Sequence, residues 1–243
     1  MADARQPSRG LLLVAWSAAA LFVVSLLYFV YSYLVRFDTV DSTGHSGAIA
    51  AARNVTLFSV FALHHSITAR DAAKAQLQRL IPPVLERSVY TLTSSILFLL
   101  VCALWRPLPG ELYRLDGLPA LAGHLVQGAG VILTIRSARR LGVLDLAGVS
   151  QVLDARHGFP SAPGSLETHG VYGFVRHPLY FAWVLMMFGT PDMTVTRLVF
   201  AAVSSAYLAI AIPFEERSLI RKFGAAYRDY QKRVRWRMVP GVY

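Results

Sequence analysis

Residues 11–35 read LLLVAWSAAALFVVSLLYFVYSYLV, a near-continuous apolar run whose only polar side chains are serines and tyrosines. At 1.5 Å per helical residue such a run reaches across a bilayer core of about 30 Å. It is far longer than the roughly 7–15 residues of a signal-peptide core, so it reads as a retained first span. Five further apolar blocks follow, at residues 48–68, 90–105, 118–135, 178–190 and 195–212. The block at 178–190 is short, and is expected either to borrow residues 171–175 or to re-enter the membrane. The 243 residues are 55% hydrophobic and 16% charged, against about 45–50% and 25% for soluble domains. The fold expected is an all-α, polytopic integral membrane protein of about six transmembrane helices, with no separate soluble domain.

Net charge is +10, which taken alone would suggest nucleic acid as partner. Its distribution argues otherwise. With six spans, Arg36, Arg53, Arg106, Arg114 and Arg197 fall on one side, and the other 19 of the 24 Lys and Arg residues fall opposite. That bias follows the positive-inside rule and puts both termini in the cytoplasm, from Arg5 and Arg9 to the basic tail. The basic charge then serves orientation and attraction to anionic lipid headgroups, not nucleic acid. Cys102 is the single cysteine. It excludes an intrachain disulfide and any Cys-based zinc spacing, and reads as a small buried or lipid-facing hydrophobe. No metal site is expected.

The connectors carry turn chemistry. Residues 36–47 are polar with two glycines, 70–87 are basic and broken by Pro82-Pro83, and 106–117 hold Pro107, Pro109 and Gly110. Trp105, Tyr113, Trp183 and Trp236 suit membrane interfaces. Residues 137–175 are too long for a simple connector. They keep an apolar rhythm at 141–153, reach a Pro/Gly turn region at 158–164, and are expected to fold back over the cytoplasmic face. From Phe214 the chain reads as an amphipathic helix, with Leu219 and Phe223 on one face and Arg217, Arg221 and Arg228 near another, suited to the headgroup boundary. Gly224 interrupts it.

Chemistry concentrates in Arg176-His177-Pro178-Leu179-Tyr180 and Glu215-Glu216. Pro178 fits the first turn of a helix, where its missing N–H costs nothing. Free backbone N–H groups there attract anionic ligand groups. A basic residue and a proline at a span start are also ordinary topology, but that leaves His177 and Tyr180 without a reason. A carboxylate at bilayer centre costs roughly 2.5–3.5 kcal/mol on insertion scales, so the glutamates must sit at an interface, face a polar cavity or pair. Surface ion pairs with Arg217 or Arg221 are the plainer alternative, worth under about 1 kcal/mol. If the last two spans form a hairpin, its two ends bring His177 and Glu215-Glu216 together, in a pocket suited to a zwitterionic, nucleoside-containing cofactor. His64-His65-Ser66 closes the second block. With His124 it would make a bis-His haem pair, but no paired histidine spacing supports haem over interhelical packing. Gly128 and Gly130 lack the third glycine and the preceding strand of a dinucleotide loop, and read as close-packing positions.

Gly170-Val171-Tyr172, Arg176-His177-Pro178-Leu179-Tyr180, Glu215-Glu216 and residues 223–230 (FGAAYRDY) together resemble the isoprenylcysteine carboxyl methyltransferase superfamily. Residues 61–66 (FALHHS), 85–90 (LERSVY), 105–109 (WRPLP), 145–152 (DLAGVSQV) and 190–194 (TPDMT) resemble its nurim branch, which includes bacterial methanethiol S-methyltransferases. The resemblance implies one membrane methyltransferase domain over 1–243. Residues 1–136 supply four spans; residues 137–243 supply a cofactor-binding loop, the hairpin and the amphipathic helix. It implies S-adenosylmethionine as cofactor. Gln151, Leu166, Glu167, Tyr172, His177, Pro178, Leu179, Tyr180 and one of Glu215 and Glu216 are the expected cofactor positions. Arg176 is expected to supply a positive field, and His65 or His177 a base, for methyl transfer to a small thiol. Methanethiol, giving dimethyl sulfide, is favoured. Residues 209–214 are apolar where the isoprenylcysteine enzymes carry charge, which counts against a prenylcysteine acceptor. A lipid acceptor and a non-catalytic nurim-like protein are the other readings. The expected location is a bacterial inner membrane.

Overall fold

A computed structural model describes residues 9–41, 47–157 and 165–243. Arg5, part of the polar loop at 36–47 and the Pro/Gly turn at 158–164 lie outside the described residues. In chain order the elements are α1 (Arg9–Tyr31), α2 (Gly47–Thr68), α3 (Asp71–Leu77), α4 (Glu86–Leu104), β1 (Glu111–Arg114), α5 (Gly117–Leu141), α6 (Val143–Ala147), α7 (Ser150–His157), α8 (Pro178–Phe188), β2 (Asp192–Thr194), α9 (Val195–Phe223) and α10 (Ala225–Arg233). One turn of π-helix extends α1 to Arg36, and tight three-residue-per-turn segments precede α4 and cover Gly170–Gly173.

Five helices among the described residues, not six, are long and apolar enough to cross a membrane: Arg9–Arg36, Gly47–Thr68, Pro83–Leu104, Gly117–Leu141 and Val195–Phe223. The block at 178–190 forms only the 11-residue α8. It does not borrow residues 171–175, because the backbone just before Pro178 is paired elsewhere. Arg176 N donates to Trp236 O at 2.9 Å and His177 N to Arg237 O at 2.8 Å. At its other end, Gly189 and Pro191 stop the helix.

The chain divides into two compact units. The first joins residues 9–34, 53–105 and 142–157. Here α1 packs along α4, and Phe98 of α4 meets both Phe29 and Phe61, at 5.5 and 5.3 Å between ring centroids. The rhythm at 141–153 resolves into α6, α7 and the turn between them, where Ala147, Val149 and Val152 share a core with Ala15, Ala19 and Leu85. Ser88 Oγ donates to Gly148 O at 2.7 Å and Thr91 Oγ1 to Leu146 O at 3.2 Å. Gly148 has φ +79°, and a Cβ there would lie 2.6 Å from Ser88 N, so only glycine lets this turn touch α4. Cys102 is fully buried. Trp105 is buried as well.

The second unit joins residues 35–41, 47–52, 106–141 and 165–243. α5 and α8 run antiparallel in close contact. A Cβ on Gly130 would come within 2.8 Å of Ala182 O, and one on Gly123 within 2.8 Å of Gly189 O. Gly130 is thus a packing glycine as expected; Gly128 faces open space and is not. β1 pairs antiparallel with β2. Beside it the buried Arg197 donates to Asp38 Oδ1 at 2.9 Å and to Asp192 O at 2.8 Å. Thr194 caps α9 by accepting from Arg197 N at 3.1 Å. Trp183 donates to Ser204 Oγ at 2.8 Å, joining α8 to α9.

α9 runs without a break through Glu215-Glu216 to Phe223, so the helix expected to start at Phe214 is the end of the last span. Gly224, at φ +56°, ends it before α10. Leu219 and Phe223 pack on Tyr172, Tyr227, Tyr230 and Val234, and so face protein instead of headgroups. Pro213, inside α9, has no N–H for the carbonyl of Ala209. Tyr243 Oη donates to that carbonyl at 3.3 Å.

Candidate active site

All the polar groups that open α8 converge on α9 within the second unit. Three are buried: Arg176, His177 and Glu216. Glu216 follows the buried Ile212 by one turn, so it points into the protein on the same helical face. Its Oε1 accepts from Arg176 Nε at 2.6 Å and lies 3.4 Å from His177 Nε2. Its Oε2 accepts from Gln231 Nε2 of α10 at 3.1 Å and lies 3.6 Å from Arg237 Nε. Arg176 Nη1 also donates to Val234 O at 2.7 Å and Arg235 O at 2.9 Å. The pair therefore ties α8, α9 and the segment after α10 together.

Glu215 sits about 100° round the helix, and its side chain is 44% exposed. It accepts from Tyr180 Oη at 2.7 Å and lies 3.7 Å from His177 Nδ1. The His177 and Tyr180 rings stack at 5.3 Å, so one turn of α8 presents imidazole and phenol together. Leu179 lies half-buried in that turn and Pro178 is its buried first residue.

Phenols form the adjoining wall. Tyr230 Oη donates to Tyr172 O at 2.7 Å, and Tyr227 stands edge-on to Tyr230 at 5.7 Å. Burial, then the nearby Tyr230, Glu215 and Glu167, pushes the Tyr172 phenol well above its ordinary range. Burial also pushes Tyr227 up, with Glu216 adding to it. Tyr230 is raised by burial, against the lowering field of Arg176. All three stay neutral donors. Tyr227 Oη is buried with no hydrogen-bond partner among the described residues. A buried hydroxyl left without a partner costs about 1–3 kcal/mol, unless a ligand satisfies it.

Of the residues singled out from sequence, Arg176, His177, Pro178, Leu179, Tyr180, Glu215 and Glu216 form one cluster, and Tyr172 stands close enough for Glu215 to act on its charge. Leu166 packs against the phenols. Glu167 turns elsewhere: its Oε1 accepts from His169 N at 3.1 Å and lies 3.9 Å from Arg140 Nη1. His65 and Gln151 belong to the first unit. The His65 ring lies 2.9 Å (Nε2) and 3.1 Å (Nδ1) from Tyr90 Oη, with Ser94 Oγ at 3.4 Å. Gln151 Oε1 is buried without a partner among the described residues. Sequence reasoning missed Tyr227, Tyr230, Gln231 and Arg237 as parts of the site. The available signal was the pair Tyr227 and Tyr230, three residues apart and so on one face of any helix there. Among the described residues no cluster of His, Cys, Asp or Glu is arranged to hold a metal.

A family model described as phospholipid methyltransferase matches residues 119–226, which include α8 and both glutamates. Relatives match far more. Methanethiol S-methyltransferase 2 of Bradyrhizobium diazoefficiens is 37% identical over 229 residues, 92% of this chain and 88% of that protein. The methanethiol S-methyltransferase of Mycobacterium tuberculosis is 34% identical over 225 residues, 89% of this chain and 91% of that protein. Protein-S-isoprenylcysteine O-methyltransferase of Dictyostelium discoideum is 35% identical over only 81 residues, 32% of this chain and 34% of that protein. No solved structure gives a significant match. With likeness of that extent and five membrane-crossing helices, the chain belongs to the methanethiol S-methyltransferase family and is an integral-membrane methyltransferase.

Proposed function

We propose that this protein transfers a methyl group from S-adenosylmethionine to a small thiol, methanethiol foremost, giving dimethyl sulfide. The observation that carries the reading is the division of labour between neighbouring carboxylates. Glu216 is enclosed by protein donors, whereas Glu215 stays half-exposed beside Tyr180 and His177. The residues present fit the cofactor: a carboxylate open to a ligand ammonium, an imidazole beside it, and a buried Tyr227 hydroxyl that lacks a partner. When bound, S-adenosylmethionine supplies an electrophilic methyl group on a sulfonium.

In this reading Glu215, Tyr180 and His177 hold the polar end of the donor, with Leu166, Glu167, Leu179 and Pro178 beside them. Tyr172 and Tyr180 offer ring faces to positive charge, worth on the order of 1–2 kcal/mol when desolvated. Arg176 acts through Glu216: its Nε and Nη1 hydrogen bonds go to protein acceptors, so it positions the carboxylate pair. The acceptor thiol must lose a proton to become a nucleophile. His177, 3.7 Å from Glu215 in the donor cluster, is the proposed base. The excess of Lys and Arg on one side supports a bacterial inner-membrane protein with both termini in the cytoplasm.

Membranes containing the full chain, given methanethiol and S-adenosylmethionine, should release dimethyl sulfide into the headspace, and Glu215→Gln should reduce the yield at least tenfold. Release that is absent from wild-type membranes while a prenylcysteine or a phospholipid amine is methylated would overturn the thiol assignment.

A further inference from the structure

Behind the site, the last turns of α5 and the Gly170–Gly173 turn enclose an open-sided cavity of about 600 Å³ lined by Arg136, Arg139, Arg140, Gly170, Val171 and Phe174. Three guanidinium groups meet one carboxylate there, Glu167, 3.9 Å from Arg140. Arg136 and Arg139 have no ion-pair partner among the described residues. Gly170, at φ +61°, supplies the left-handed backbone of the turn beside Arg140, whose Nη2 would lie in ordinary contact, 3.5 Å, with a Cβ there. Phe174 is 77% exposed, next to the buried Val175.

The cavity continues into an apolar stripe. Ile132 and Ile135 precede Arg136 and Arg139 by one helical turn each, and both isoleucines are about half exposed. They belong to a helix that is long and apolar enough to cross a membrane. Cationic groups at the head of an exposed aliphatic stripe, with an aromatic ring beside them, complement an amphiphile with an anionic head. A free phosphate would use the arginines and leave the stripe and Phe174 unused.

We propose that this cavity is a binding site for one anionic phospholipid, its phosphodiester on Arg136 and Arg139 and its acyl chain along Ile132 and Ile135. Such a lipid is a bound component and not a methyl acceptor, since a headgroup such as glycerol carries no amine. The inference is independent of which acceptor the enzyme methylates. Because Tyr172 belongs to the turn that lines the cavity, lipid occupancy holds in place a turn that also serves the donor site.

Native mass spectrometry of the detergent-solubilised full chain tests this with phosphatidylglycerol and phosphatidylcholine as probes. Wild type should retain one phosphatidylglycerol under activation that strips phosphatidylcholine. Arg136→Gln/Arg139→Gln should weaken that retention about tenfold or more, and Arg136→Lys/Arg139→Lys should keep most of it. Thermal unfolding of each variant without lipid separates loss of the site from loss of the fold, and Phe174→Ala, at an exposed position, provides a second weakened variant. Equal retention of the two lipids by wild type, or undiminished phosphatidylglycerol in the glutamine and alanine variants, overturns the proposal. So does displacement of the lipid by inorganic phosphate, which would make the cavity a simple anion site.

Discussion

At Glu215 and Glu216 two identical residues, adjacent in sequence, acquire different physics from 100° of helical rotation. Glu216 is a buried partner of Arg176, and removing one member of such a pair leaves an uncompensated charge, at a cost of about 3–5 kcal/mol. Glu216→Ala should therefore lower the unfolding midpoint of the solubilised protein markedly and lose activity with the fold. Glu215→Gln should leave that midpoint nearly unchanged, within the roughly 0.5 kcal/mol usual for surface substitutions, and weaken binding of the methyl donor, read by calorimetry. Equal thermal losses in the two variants would contradict the roles assigned. The sequence disclosed that both carboxylates come to His177, because only a hairpin brings costly polar groups from both ends of an apolar pair together. It did not disclose which of them is buried. That depends on Gln231 and Arg237, which reach Glu216 only after Gly224 turns the chain back.

At the scale of elements, α10 is fixed by its phenols. Tyr227 and Tyr230 pack on Tyr172, and all three ionise less readily than free tyrosine, chiefly because burial opposes a phenolate. A folded-state pKa above the unfolded value of about 10 contributes stability that is complete below that pH and is lost as pH rises towards the folded value. In an alkaline titration followed by tyrosinate absorbance, these three of the 11 tyrosines should stay protonated while exposed ones ionise. They should ionise only with unfolding of the 215–234 region. Early ionisation of all 11 would contradict the packing. Apolar run length made the five long helices legible. It misjudged 178–190 because a run of apolar residues does not reveal that Arg176 and His177 have given their backbone N–H groups to Trp236 and Arg237. β1 and β2, only four and three residues long, offered too little alternation to be read.

For the molecule as a whole, the proposed orientation follows from charge alone. Leu80, 80% exposed, lies in the basic connector before α4, and Leu112, half-exposed, lies in β1. Cys102 is fully buried, which gives a silent background for labelling. Leu80→Cys should react with a membrane-impermeant maleimide only in inverted vesicles, and Leu112→Cys only in intact spheroplasts; the opposite pattern would reverse the topology. α8 adds a consequence that run lengths do not foretell. Its Ala182 lies against Gly130 of α5, and Gly170 lies against Arg140, so about 9 Å of the distance along α5 is covered by chain that is not helical. Such backbone survives at bilayer depth only where protein or a wet recess surrounds it. Here protein does so: the amides of Arg176 and His177 are taken by the carbonyls of Trp236 and Arg237, so the C-terminal segment is what lets α8 be short.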